Sequence, residues 1–173
     1  NLQKNRKDIF MDDILQKSIF KKTIGPSDRQ IQYLVELYSQ GQLQQALIET
    51  NKILQQYPNS VTSYNIQGAV NAGLQNFDAA IESYLKAIEL KPDFSEAYNN
   101  MGVAQQNKGE LDTAIENFKE AINIKPDYAE AFNNMGIALM KKGYFSSAKN
   151  CYKKAIIIKP NYAEAYNNLG NCQ

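Results

Sequence analysis

The sequence predicts an all-α solenoid, built from antiparallel helix pairs stacked side by side. Three observations lead there. The chain repeats itself at a fixed step of 34 residues. Within each copy, apolar residues recur at helical spacing in two separate stretches. A proline follows the second stretch of every full copy. Self-similarity at such a period marks an architecture whose units are too small to bury their own apolar face alone.

The step is plainest in single residues. Pro58, Pro92, Pro126 and Pro160 keep it, as do Gly68, Gly102, Gly136 and Gly170. So do Ala46, Ala80, Ala114 and Ala148, and the aromatics Tyr84, Phe118 and Tyr152. A heptapeptide returns as EAYNNMG at 96–102, EAFNNMG at 130–136 and EAYNNLG at 164–170. This divides the chain into repeats 27–60, 61–94, 95–128 and 129–162, with a partial repeat at 163–173.

Residues 1–26 lie outside the period. Their apolar pairs Ile9-Phe10, Ile14-Leu15 and Ile19-Phe20 fall all around a helix axis, which gives no single apolar face. The segment reads as an extra helix covered on several sides, or as an extended arm that docks on another surface. Gly25-Pro26 followed by Ser27-Asp28 is a break and then a helix start.

Repeat 27–60 is the most divergent. Leu34 stands where later copies have glycine, and Thr50 where they have an aromatic. A helix pair is still legible in Leu34, Leu37 and Tyr38, then Leu43, Ala46, Leu47 and Leu54, so this copy reads as a cap or a drifted repeat. Repeat 61–94 is expected to move its turn glycine to Gly73. In repeat 95–128, Tyr98, Met101, Gly102 and Gln105 share one helix face. Gly109 can turn left-handed and end that helix. Leu111, Ala114, Ile115, Phe118, Ala121 and Ile122 form the second stripe, and Pro126 stops it. Gly102 and Ala114 are small enough to let the two backbones approach. Repeat 129–162 restates the pattern. The partial repeat leaves Tyr166 and Leu169 without a second helix, so the chain is expected to continue, or another chain to cover this end. A start at Asn rather than Met likewise reads as a fragment or a processed form.

Composition narrows function. The 173 residues are 43% hydrophobic and 21% charged with a net charge of +1, which suits a folded soluble protein and argues against a broad nucleic-acid or anionic-membrane footprint. There is no histidine, which removes the commonest proton-transfer group, His-ligated metal sites and Ser-His or Cys-His nucleophile pairs. Cys151 and Cys172 have no metal-type spacing and read as small apolar residues in a reduced compartment, which suits the cytoplasm. No apolar run is long enough to cross a bilayer, and NLQKNRKDIF is not the start of a signal peptide. The expectation is a non-enzyme without cofactor or metal.

The pattern aromatic, then Leu-Gly, Ala, aromatic and Pro resembles the tetratricopeptide repeat. It appears as Tyr98, Met101-Gly102, Ala114, Phe118 and Pro126, and again as Phe132, Met135-Gly136, Ala148, Tyr152 and Pro160. The usual Trp is replaced by Tyr64, Tyr98, Phe132 and Tyr166, and the first-helix Tyr by Asn71, Gln105 and Leu139. The resemblance covers residues 27–173. It implies a right-handed superhelix with first helices lining an inner groove, and a protein or extended peptide as partner.

The paired asparagines are the groove's most distinctive letters. The candidate peptide-binding residues are Asn65, Asn99, Asn100, Asn133, Asn134, Asn167 and Asn168. Asn100, Asn134 and Asn168 resemble the asparagine ladder of O-linked N-acetylglucosamine transferases, whose amides hold a peptide main chain. The second repeat breaks the ladder with Ile66. A primary amide donates and accepts, so it can pair with a peptide unit without reading side chains. If the amides serve only a ligand, changing Asn100, Asn134 and Asn168 to alanine leaves stability unchanged or higher, and Ile66→Asn lengthens the ladder. The rival reading is that they are solvated residues inherited through duplication. A carboxylate clamp like that of chaperone-binding relatives is poorly matched, because Asn99, Asn133, Val103 and Ile137 supply no cation. Lys108, Lys141 and Lys142 sit at first-helix ends, where they suit the helix dipole. Two other functions stay open: the recognition region of a larger glycosyltransferase or sulfotransferase, and a scaffold that self-associates through the N-terminal arm or the open C-terminal edge.

Overall fold

The computed structural model describes residues 25–172; the arm over 1–24 lies outside the described residues. Among the described residues there are nine α-helices and no strand. They run α1 (Asp28–Ser39), α2 (Leu43–Gln56), α3 (Val61–Gly73), α4 (Phe77–Leu90), α5 (Ser95–Lys108), α6 (Leu111–Ile124), α7 (Ala129–Lys141), α8 (Phe145–Ile158) and α9 (Ala163–Gly170).

The ends are written locally. Ser27 caps α1 in a capping box: its hydroxyl accepts from the Gln30 N–H, and its own N–H donates to Gln30 Oε1 at 2.9 Å. Between the two helices of a pair the backbone turns left-handed at Gly41, Gly109 and Gly143, with φ of 71°, 87° and 81°. The equivalent residue of the second repeat is Gln75, at φ 62°. Gly73 therefore does not take the turn assigned to it above. It ends α3, where a Cβ would come 3.0 Å from Leu43 Cδ1. The second helices stop before Pro92, Pro126 and Pro160 because proline forces the preceding residue out of the helical region. Lys91, Lys125 and Lys159 take φ of −142°, −128° and −128°.

Within a pair, a first-helix glycine lies under a second-helix aromatic. A Cβ on Gly102 would stand 2.7 Å from Phe118 Cε1, and one on Gly136 2.5 Å from Tyr152 Cε1; Gly68 meets Tyr84 in the same way. The first repeat solves the same contact with the volumes exchanged. Leu34 on α1 and Thr50 on α2 are both fully buried at the equivalent positions, and the Thr50 hydroxyl donates a hydrogen bond to the Ala46 carbonyl at 2.6 Å.

The core continues from one repeat into the next. Ala114, Ile115 and Phe118 pack with Ala138 of the following repeat, and Leu37 and Ala46 with Val70. First helices of successive repeats touch, α1 on α3, α3 on α5 and α5 on α7, while each second helix meets the next repeat through its first helix. First helices of successive repeats thus approach each other more closely than second helices do, which puts them on the inner side of the stack's curve.

One buried side-chain atom among the described residues lacks a hydrogen-bond partner, Gln106 Oε1. Its equivalents are Ala72 and Met140. An unpaired buried acceptor costs about 1–3 kcal/mol. Gln106→Met is therefore expected to raise the unfolding free energy by about 1 kcal/mol in a urea titration, and a loss of stability would contradict the burial of that oxygen.

Candidate functional site

One stripe of each first helix faces the inside of the curve. On α5 it runs Glu96, Asn100, Val103, Asn107, at helical spacing. On α7 it reads Glu130, Asn134, Ile137, Lys141; on α3 Thr62, Ile66, Ala69, Gly73; on α1 Asp28, Gln32, Val35, Ser39.

The asparagines first serve the joint between repeats. Asn100 Nδ2 donates to Asn65 Oδ1 at 3.3 Å, Asn134 Nδ2 to Asn99 Oδ1 at 3.0 Å, and Asn168 Nδ2 to Asn133 Oδ1 at 3.0 Å. In each bond the second asparagine of one repeat reaches the first asparagine of the repeat before. Asn99 Nδ2 lies 3.4 Å from Asn100 Oδ1, and Asn133 Nδ2 donates to Glu164 Oε1 at 3.1 Å.

These bonds separate the seven candidates. Asn99 and Asn133 are 6% and 0% exposed. The following repeat covers them, so the ligand-facing place given them by sequence is corrected to a place inside the joint. Asn65, Asn100, Asn134 and Asn168 are half-buried, and Asn167 is exposed. Ile66 is half-buried against the cluster of Leu37, Ala46 and Val70. The residue 35 positions before it is Ile31. Where the amide ladder breaks, both members of the pair are isoleucine, so Ile66→Asn alone would lose apolar contact and find isoleucine where the later joints offer an amide acceptor. The spacing of 35, one more than the period, is the signal that would have found the joint.

Ion pairs tie the helix ends of neighbouring repeats together. Lys108 pairs with Asp78 at 2.7 Å and Glu110 at 2.6 Å, and Lys142 pairs with Asp112. Each ties the end of a first helix to the start of the preceding second helix, beyond the dipole role read from sequence. At the start of α7 Glu130 bonds Lys159 at 2.8 Å, and Lys159 lies 4.8 Å from the Tyr162 ring centre, as Lys125 does from Tyr128. The Lys159 hydrogen bond lowers the Glu130 carboxyl below its ordinary range. Burial, and then nearby glutamates, push Tyr128 and Tyr162 up to about 12.

Among the described residues no group of His, Cys, Asp or Glu could hold a metal ion, and no helix is long and apolar enough to cross a membrane. Burial pushes the Cys151 thiol up to about 11, which leaves it protonated and unreactive.

A family model described as TPR repeat matches residues 73–109, 107–143 and 138–173. The chain belongs to the tetratricopeptide repeat family. Its helix pairs superpose on other tetratricopeptide repeat structures. MamA is 28% identical, with a TM-score of 0.71 over 79% of this chain and 80% of that chain. Pseudomonas aeruginosa pilF, at 20% identity, gives 0.78 over 84% of this chain and 66% of its own. The first TPR of Spaghetti (RPAP3), bound to the HSP90 peptide SRMEEVD, is 21% identical and gives 0.63 over 65% of this chain and 89% of its own. No curated protein matches this tetratricopeptide repeat chain in sequence.

Proposed function

We propose that the inner face binds a partner protein through an extended peptide, without catalysis, and that the protein works in the cytoplasm, where its two free thiols stay reduced. The observation that carries this reading is the row Asn100, Asn134 and Asn168. Each amide is oriented by its bond to the preceding repeat, which spends one N–H. On Asn134 and Asn168 the carbonyl oxygen stays free of protein donors among the described residues, and a second N–H remains on every rung. Packed helices are ~8–10 Å apart and an extended strand rises ~3.3 Å per residue, so rungs meet the ligand about every third residue.

The test must remove a rung without opening the joint. Asn99→Ile with Asn134→Ile reproduces the isoleucines that occupy the equivalent positions 31 and 66. This double variant is expected to melt near the wild type. It should bind a mixed peptide pool about three- to tenfold more weakly in calorimetric titration, in keeping with the ~0.5–1.5 kcal/mol of one hydrogen-bonding group. Unchanged affinity would remove the amides from the binding face.

A further inference from the structure

The joint between α7 and α9 is closed from both sides. Asn133 is fully buried there, and two residues of α9 grip its amide. Its oxygen accepts from Asn168 Nδ2 at 3.0 Å, and its own Nδ2 donates to Glu164 Oε1 at 3.1 Å. Glu164 and Asn168 are four residues apart, so they leave α9 on one face. The repeated heptapeptide thus carries a complete clasp. Its glutamate and second asparagine grip the first asparagine of the copy before.

The joint between α5 and α7 has the same residues in a different arrangement. Asn99, 6% exposed, is the gripped amide, and Asn134 Nδ2 reaches its oxygen at 3.0 Å. Its nitrogen finds only the Oδ1 of its own neighbour Asn100 among the described residues, at 3.4 Å. That lies beyond the ordinary N–H···O range of ~2.7–3.2 Å. The residue equivalent to Glu164 is Glu130, and its carboxylate is turned instead to Lys159 at the end of α8, 2.8 Å away. Both side chains of this ion pair are nearly half exposed, so it contributes little and salt screens it. A poorly paired N–H in a covered place is costly. Glu130 therefore has two partners of comparable claim. Lys125 also stands near it and helps to lower its carboxyl, and its own charge raises the phenols of Tyr128 and Tyr162. At the α3–α5 joint the equivalent Glu96 accepts from Ser95 Oγ at 3.1 Å, and Asn65 is only half-buried.

We infer that Glu130 is a two-position latch: held by Lys159 it leaves the α5–α7 joint half closed, and turned to Asn99 it closes that joint as Glu164 closes the next. The latch acts on a rung, because Asn99 is the residue that orients Asn134. It belongs to the chain alone, with or without a ligand in the groove.

The experiment follows hydrogen exchange of the Asn99 and Asn133 side-chain amides by NMR in the full chain. In the wild type Asn133 is expected to exchange about tenfold more slowly than Asn99, the effect of one well-formed hydrogen bond. Lys159→Met should slow Asn99 to near the Asn133 rate; where Lys125 takes over the carboxylate, adding Lys125→Met should do so. Raising the salt from about 0.1 M to about 1 M, which cuts the screening length from ~10 Å to ~3 Å, should act in the same direction on the wild type. A joint held by charge would respond to salt in the opposite way. The gain must vanish in Glu130→Ala/Lys159→Met, because the Glu130 carboxylate is the group that moves. Glu164→Ala should bring Asn133 to the faster rate of Asn99. None of the changed side chains is buried, and a thermal melt verifies that each variant is folded. An Asn99 rate that ignores both lysine changes and salt, or a gain that survives the loss of Glu130, would overturn the inference. So would a wild type in which Asn99 is already as protected as Asn133, since the joint would then be closed with Lys159 in place.

Discussion

Gly102→Leu is expected to cost about 3 kcal/mol of unfolding free energy, at the upper end of overpacking penalties. Leucine is the better helix former by somewhat under ~1 kcal/mol, so the local preference points the other way and packing decides the sign. The reason is the ring of Phe118, which already occupies the space of the new Cβ. The first repeat supplies the repair. Leu34 and Thr50 fill the equivalent contact with the large residue on the first helix. Gly102→Leu combined with Phe118→Thr should therefore recover much of the loss, although Phe118→Thr alone should cost several kcal/mol, on the order of other large-to-small core changes. Guanidinium titrations of the two single variants and the double variant give the coupling energy directly. A neutral Gly102→Leu, or a double variant whose loss is the plain sum of the singles, would refute this description of the helix contact.

The second large effect concerns the asparagines. Changing Asn100, Asn134 and Asn168 together to alanine should lower stability by about 2–4 kcal/mol. Three hydrogen bonds across joints disappear, and the buried Asn99 and Asn133 oxygens lose their donors, at ~1–3 kcal/mol for each orphan. The helix propensity of alanine returns only ~0.5 kcal/mol per site. The sequence alone led to the opposite expectation, of unchanged or higher stability. A melt in which the triple variant matches the wild type would restore it and deny the joint.

The fold was legible because period, stripe and breaker agree over four copies. What stayed hidden has one cause. A helix wheel places Asn99 and Asn100 as neighbours and cannot say which is covered by the next repeat. That depends on how successive first helices lie against one another, which no single helix encodes. The left-handed Gln75 was missed because a nearby glycine, Gly73, offered itself for the same role. The first repeat looked drifted because its residues were compared one position at a time. Leu34 and Thr50 make sense only as a pair whose combined volume is kept.

The joint also says something about how such a gene can grow. Donor and acceptor of each amide bond sit side by side in every copy from 95 onward, so each copy carries both halves of the seam it will make. Duplicating or excising a unit in frame rebuilds the seam without any compensating change. Removal of residues 95–128, for instance, would bring Asn134 opposite Asn65, the same chemistry that Asn100 now supplies. Only the junction at Ile31 and Ile66 resists such shuffling, because an amide copy inserted there would face isoleucine. The number of repeats is thus free to vary from residue 95 onward.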